Sequence, residues 1–373
     1  MSAAGLAIAL AAGWIGFAYA GYPLVLWILA RRSPRPLRAA DAAPPLSVIV
    51  AVHNGEHELA RKLTNTLECS YSGECQVIVA SDGSSDGTEA VARRFAARGV
   101  ELVALRERRG KEGAQAAAIE RARGEVLVFT DVAAELERDA LAAIARPFAD
   151  PSVGCASSED VVEDGSGEGA YVRFEMALRR LESRAGNLVG LSGSFFAVRR
   201  SLCEPWPVDL ASDFRSALEA GRRGLRAVSA PGARARFGVT EDPTAEWQRK
   251  VRTVRRGLAV LASYRDLLHP RHGRLALALW GHKVARFTSP FALLVLLVAS
   301  LVAARTSGAA AALAAAQVAA YAAGAVSLWL PSPVPWRVPR LVGFFLLVNA
   351  SMLVAWLHHL RGQRAVTWNP TQR

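Results

Sequence analysis

The feature that most constrains this chain is a pair of short β-branched runs that stay apolar at successive positions. Ser47-Val48-Ile49-Val50-Ala51-Val52 ends at His53-Asn54, and Val77-Ile78-Val79-Ala80 ends in Ser81-Asp82-Gly83-Ser84-Ser85-Asp86-Gly87-Thr88. A strand with one wet face alternates apolar and polar residues, so runs without alternation predict strands buried on both faces, as in a parallel sheet covered by helices. Such sheets collect function at strand ends. The acid-glycine-hydroxyl turn at Asp82, opening a helix near Glu89, suits a nucleotide held beside free backbone N–H groups.

The pattern continues. Glu58–Glu68, Thr88–Arg98 and Gly113–Arg123 show helical spacing, while Glu101-Leu102-Val103-Ala104-Leu105 and Glu125-Val126-Leu127-Val128-Phe129-Thr130, ending at Asp131, read as strands. This order predicts an α/β fold with a doubly wound, mostly parallel sheet. No Gly-x-Gly-x-x-Gly follows any of these strands and no Walker-type loop is present, which removes dinucleotide-binding and P-loop readings.

At 373 residues the chain has room for two ordinary domains, yet 51% of it is hydrophobic, which points to lipid contact. Residues 3–30, Phe287–Ala304, Ala309–Leu330 and Leu341–Leu360 are apolar, each close to the ~20 residues that cross hydrocarbon. The first lacks a basic leading segment and is followed by Arg31, Arg32, Arg35 and Arg38, so it is expected to be an uncleaved anchor with those arginines in the cytoplasm. Five segments follow: an anchor with its basic flank (1–38), a cytoplasmic catalytic domain (39–245), basic interfacial helices (246–285), C-terminal transmembrane helices (286–360) and a basic tail (361–373). Four spans starting outside would send Arg361, Arg364 and Arg373 outside, against the positive-inside rule, so one late segment is expected to be interfacial or re-entrant.

Cys69, Cys75, Cys155 and Cys203 lack metal-ligand spacing and fit reduced thiols of a cytosolic domain. The formal charge of +12 sits beside apolar spans and is assigned to anionic lipid headgroups, with no nucleic-acid partner expected. The seven histidines share no metal-site spacing, and His282 reads as interfacial.

An ordered set of motifs runs along the chain: the strand ending at His53-Asn54, the Asp82–Thr88 turn, Arg109-Gly110-Lys111 with Ala114-Gln115, the strand ending at Asp131, Tyr171-x-x-x-Glu175, Glu182-Ser183, Gly193-Ser194-Phe195-Phe196-Ala197-Val198, Ser212-Asp213-Phe214 and Trp368-Asn369-Pro370-Thr371-Gln372-Arg373. The set resembles the family 2 glycosyltransferases, enzymes of GT-A fold that use nucleotide sugars, and in particular their membrane-embedded bacterial branch related to polysaccharide synthases.

The resemblance implies roles. Asp82 matches the acid that helps hold the nucleotide; a helix-capping role fits it equally on chemical grounds. Asp86 reads as a turn or capping residue. Lys111 is either a phosphate contact or a solvated loop lysine. Asp131 aligns with the first acid of the Asp-x-Asp motif, where Mg²⁺ or Mn²⁺ bridges carboxylates and donor phosphates. The sequence there is Asp131-Val132-Ala133-Ala134, so the second carboxylate is missing and weaker metal binding is expected. Asp213 corresponds to the base that takes the acceptor proton, or else caps its own helix. Gly193 and Ser194 correspond to the floor under the acceptor sugar, or else form a tight turn. Arg249-x-x-Arg252-Thr253 stands where processive synthases carry Gln-x-x-Arg-Trp. Those two arginines clamp a diphosphate or face lipid headgroups, and without the tryptophan single transfer is favoured. Gly165-Ser166-Gly167-Glu168-Gly169 is expected to be a loop that orders over bound donor.

The expected function is an inverting transfer of one sugar, from a UDP-sugar to a lipid-linked or cell-surface glycan acceptor, at a bacterial plasma membrane with the catalytic domain cytoplasmic. The rivals are a processive exopolysaccharide synthase and a non-catalytic scaffold of a glycan-export machine, whose components would then be partners.

Overall fold

A computed structural model describes residues 2–38, 43–161, 167–236, 243–329 and 337–363. Among these residues eight strands form one sheet: β1 (Leu46–Val52), β2 (Cys75–Ser81), β3 (Val100–Ala104), β4 (Val126–Asp131), β5 (Glu135–Leu136), β6 (Val153–Val161), β7 (Phe195–Arg199) and β8 (Arg226–Arg236). Their order is β3-β2-β1-β4-β7-β6-β8-β5. The first four positions are parallel, β7 runs antiparallel between β4 and β6, and β8 is parallel to β6.

The unbroken apolar runs behave as their composition requires. Val48, Val50 and Val52 enter one core with Leu59, Leu63 and Ile144, while Ile49 and Ala51 enter a second with Ile78, Leu127 and Phe196 on the other face. Phe129 stacks between Phe196 and Trp206, with ring centroids 5.0 and 4.9 Å apart. Both faces are therefore dry, and the sheet's chemistry is confined to its ends.

Register decides which ends meet. Val52 pairs with Ser81 and Ala51 with Asp131, so the carboxyl ends of β1, β2 and β4 lie side by side. Because β7 is antiparallel, its beginning falls there too: the Asp131 N–H donates to the Ser194 carbonyl at 3.0 Å.

Element edges shift by a few residues from expectation. The third expected helix spans Lys111–Ile119, and Thr88–Arg94 gives way to a 3₁₀ turn at Ala96–Arg98. The glycine-rich stretch is not a loop throughout: Gly165 and Ser166 lie outside the described residues, and Gly167 to Gly169 open a helix, Gly167–Ala185.

Ala3–Arg32, Arg274–Ala303, Gly308–Ser327 and Leu341–Leu360 are helical, and each is long and apolar enough to cross a membrane. Tyr22 and His282 join two of them to the sheet domain. The Tyr22 hydroxyl donates to Glu182 at 2.6 Å; His282 lies between Glu182 at 2.7 Å and Glu175 at 3.2 Å. His282 is thus buried in a polar junction and not interfacial. Residues 364–373, which include the Trp368–Arg373 motif, lie outside the described residues.

Candidate active site

A cleft of about 750 Å³ opens at the carboxyl ends of β1 and β4. Lys111, Asp131, Gly193, Ser194, Asp213, Arg249 and Arg252 all line it, so seven of the eight residues named from sequence come together. The eighth, Asp82, is not among the lining residues.

Asp82 sits below the cleft, 1% exposed. Its two carboxylate oxygens accept the backbone N–H groups of Arg109 (2.6 Å) and Gly110 (2.9 Å). Gly110 has φ +81°, a conformation that L side chains rarely adopt, and the next residue is Lys111. Asp82 therefore fixes the turn from which Lys111 reaches the cleft. Asp86 does what its type suggests: its carboxylate accepts the N–H groups of Thr88 (3.0 Å) and Glu56 (3.1 Å), tying down two helix starts.

From that turn the Lys111 ammonium donates to Asp131 Oδ1 at 2.5 Å and to the Gly193 carbonyl at 2.9 Å. Gly193 also borders the third acid, since a Cβ placed on it would stand 3.2 Å from Asp213 Oδ2. Asp213 lies in the first turn of helix Ser212–Arg222. The cleft thus has a cation and a carboxylate on one side of Gly193, and a second carboxylate on the other.

Helix Pro243–Ser263 supplies a basic wall. Arg249 forks onto Glu246 (2.7 and 2.8 Å), Lys250 reaches the same acid at 3.3 Å, and Arg256 pairs with Glu112. Burial and then the neighbouring Arg256, Arg249 and Arg255 push the Arg252 guanidinium below its ordinary value, while Asp131 opposes the shift. A guanidinium crowded by like charges gains from a multiply charged anion.

Three residues absent from the sequence reading, Asp160, Glu112 and Lys62, belong to this site, and so does Glu175, which the sequence showed only as part of a motif with no role. Asp160 lines the cleft and accepts from Ser192 (2.5 Å) and Ser194 (3.2 Å), fixing the turn before β7. Glu112 joins Arg256 to the start of the Asp213 helix, with Ser212 N and Oγ each 3.4 Å away. Lys62, 2% exposed, donates to Thr130 Oγ1 (2.9 Å) and the Ala134 carbonyl (2.6 Å), clasping the turn on both sides of Asp131; burial pushes its ammonium down to about 7. Glu175, at the far end of the cleft, would be raised by burial, but Arg286 and His282 hold it well below the usual carboxylate range.

No group of three His, Cys, Asp or Glu side chains able to hold a metal ion occurs among the described residues. Asp131 already carries an ammonium, and Ala133 offers no second acid. A hard cation that brings phosphate oxygens and waters needs only one or two protein carboxylates, so this donor set fits an ion arriving with a diphosphate and not a preloaded site.

Residues 47–206 match the family model "Glycosyl transferase family 2". Across 96% of this chain and 100% of its own, the mannosyltransferase PcManGT from Pyrobaculum calidifontis, solved with GDP-Man and Mn²⁺, is similar at 27% identity with a TM-score of 0.75. An N-acetylglucosaminyltransferase of Rhizobium leguminosarum bv. trifolii is 33% identical over 100 residues, 26% of this chain and 55% of that protein. An uncharacterized protein of Mycobacterium tuberculosis is 31% identical over 145 residues, 38% of this chain and 45% of its own length. The chain spans about half the length of these two curated relatives.

Proposed function

We propose that the chain transfers one sugar, with inversion, from a nucleotide-sugar donor to a lipid-linked or cell-surface glycan acceptor, a reading supported by the match of residues 47–206 to the family 2 glycosyltransferase model and by the whole-length similarity to a mannosyltransferase. The observation that carries this reading is the meeting of Lys111, Asp131 and Asp213 around Gly193.

In the proposed reaction Lys111 and Arg252 receive the donor's diphosphate, with Arg249 beside them. The acceptor hydroxyl rests on the Gly193-Ser194 turn and gives its proton to Asp213 as its oxygen bonds to the anomeric carbon. The bond from that carbon to the diphosphate breaks, and its electron pair leaves with the nucleoside diphosphate. Attack opposite the leaving group inverts the centre. A fixed cation aimed where negative charge grows is typically the largest source of acceleration. Mg²⁺ or Mn²⁺, if carried in on the diphosphate, would be held by Asp131 and would neutralise the departing charge.

A UDP-sugar donor is the first reading. The whole-length similarity to a protein solved with GDP-Man favours a second, a GDP-sugar. A turnover screen of UDP-, GDP- and dTDP-sugars, with and without Mn²⁺, tests both; no turnover and no nucleotide binding would remove the catalytic reading.

The proposed location is a bacterial plasma membrane with the cleft in the cytoplasm. In that frame helix Arg337–Leu360 lies along the membrane surface. Phe344 meets Tyr171 (5.6 Å) and Lys250 (5.1 Å), Val348 and Met352 pack on Val251, Val254 and Leu258, and His358 approaches Arg255 at 3.5 Å. These contacts with the amphipathic Pro243–Ser263 support a cytoplasmic side for Arg361.

A further inference from the structure

We propose that the membrane-facing half of the cleft is a phosphate seat for a lipid acceptor, built from Lys283, Arg286 and Arg179; this rests on the glycosyl-transfer reading above. Arg286 is 4% exposed and lines the cleft. Its Nη1 pairs with Glu175, yet Nε and Nη2 are buried without a hydrogen-bond partner among the described residues. Two unmet guanidinium donors in a buried site are costly, so a ligand that accepts both is strongly favoured. Arg179 repeats the pattern: it reaches Ser157 Oγ at 3.5 Å and the Leu191 carbonyl at 3.3 Å, and its buried Nε has no partner among the described residues.

The Lys283 ammonium stands 4.8 Å above the Phe214 ring and would lie 3.1 Å from a Cβ on Gly190, and no carboxylate pairs with it among the described residues. The acids facing this end are Glu175 and Glu182, shared among Arg286, His282 and Tyr22, together with Asp160 and Asp213. Phe214 follows Asp213 in the chain, so an anion on Lys283 sits near the proposed base.

Part of the cleft wall is apolar. Phe287, Val348 and Met352 line the same cleft, and they belong to the helices Arg274–Ala303 and Arg337–Leu360. One and two turns beyond Phe287, Phe291 and Leu294 are exposed on that helix. A free anion has no use for such a wall, and a neutral lipid leaves the guanidinium donors unmet. A phosphate carried on a hydrocarbon tail satisfies both.

The test is calorimetry on the full-length protein in detergent, titrating farnesyl phosphate, farnesol, inorganic phosphate, UDP and GDP into wild type and Lys283→Gln. Farnesyl phosphate is expected to bind at least about tenfold more tightly than farnesol or inorganic phosphate. Lys283→Gln should erase most of that margin and leave nucleotide binding unchanged, and Lys283→Arg should restore it. Equal binding of inorganic phosphate would mean a free-anion site; equal binding of farnesol would mean no phosphate recognition; competition by UDP or GDP would assign the patch to the donor. Each overturns the proposal, as does an unchanged affinity in Lys283→Gln, and the wild-type comparison stands even if that variant fails to fold. Absence of nucleotide binding, with farnesyl phosphate still bound, would instead overturn the glycosyl-transfer reading.

Discussion

Gly193 and Asp213 are neighbours with no room between them: a Cβ on the glycine would stand 3.2 Å from the Asp213 carboxylate oxygen. Gly193→Ala must therefore push that carboxylate by a few tenths of an ångström. The expected result is a kcat lowered by about tenfold with little change in melting temperature, measured by steady-state kinetics beside thermal unfolding. An unchanged kcat would separate Asp213 from the reacting oxygen.

Lys111 and Asp131 act as one unit if the proposed reading holds. Asp131→Asn and Lys111→Met should each lower kcat/KM by about a hundredfold, and the double variant should be no worse than the poorer single. Full additivity of the two effects would show that the pair is not coupled.

Lys62 predicts a pH dependence of stability. Its folded-state value of about 7 is below the ordinary lysine value of 10.5, so between these pH values the unfolded chain binds the extra proton. Stability from this group therefore rises as pH goes from about 7 to 10.5, and is lost again as pH falls through that window. Lys62→Met should flatten this part of the stability curve measured by denaturant unfolding. It should also loosen the turn carrying Asp131 and lower activity, since the Thr130 and Ala134 contacts go with the amine.

The position of helix Arg337–Leu360 can be read chemically. A cysteine introduced at Gly362, in a background with the four native cysteines replaced, should react with a membrane-impermeant maleimide in inside-out vesicles and stay unlabelled in intact cells. Labelling from outside would make that helix a full span.

What the sequence made legible follows from how burial is written in it. β1, β2 and β4 are dry on both faces, so their side chains show no alternation and their ends are easy to find. β6 and β8 were invisible for the opposite reason. They carry Glu159, Asp160, Arg226, Pro231, Gly232, Arg234 and Arg236, which read as loop, and they become strands through pairing with each other across a shifted register. The same gap hid Asp160. Lys62 and Glu112 look like surface charges on short helices, and only the tertiary fold buries them against Thr130 and Arg256. Asp82 was placed at the correct strand end, but sequence could not reveal that Arg109 and Gly110 occupy its carboxylate. His282 gave no local signal, because Glu175 and Glu182 approach it from a helix about a hundred residues away.

The most direct test of the account is Asp213→Asn in the full-length protein, measuring nucleotide binding by calorimetry and product stereochemistry by NMR with the donor found active. The account predicts an inverted product from wild type, and a variant that binds nucleotide as well as wild type yet turns over at least about a hundredfold more slowly. Wild-type turnover in Asp213→Asn, or retention at the anomeric carbon, would contradict it.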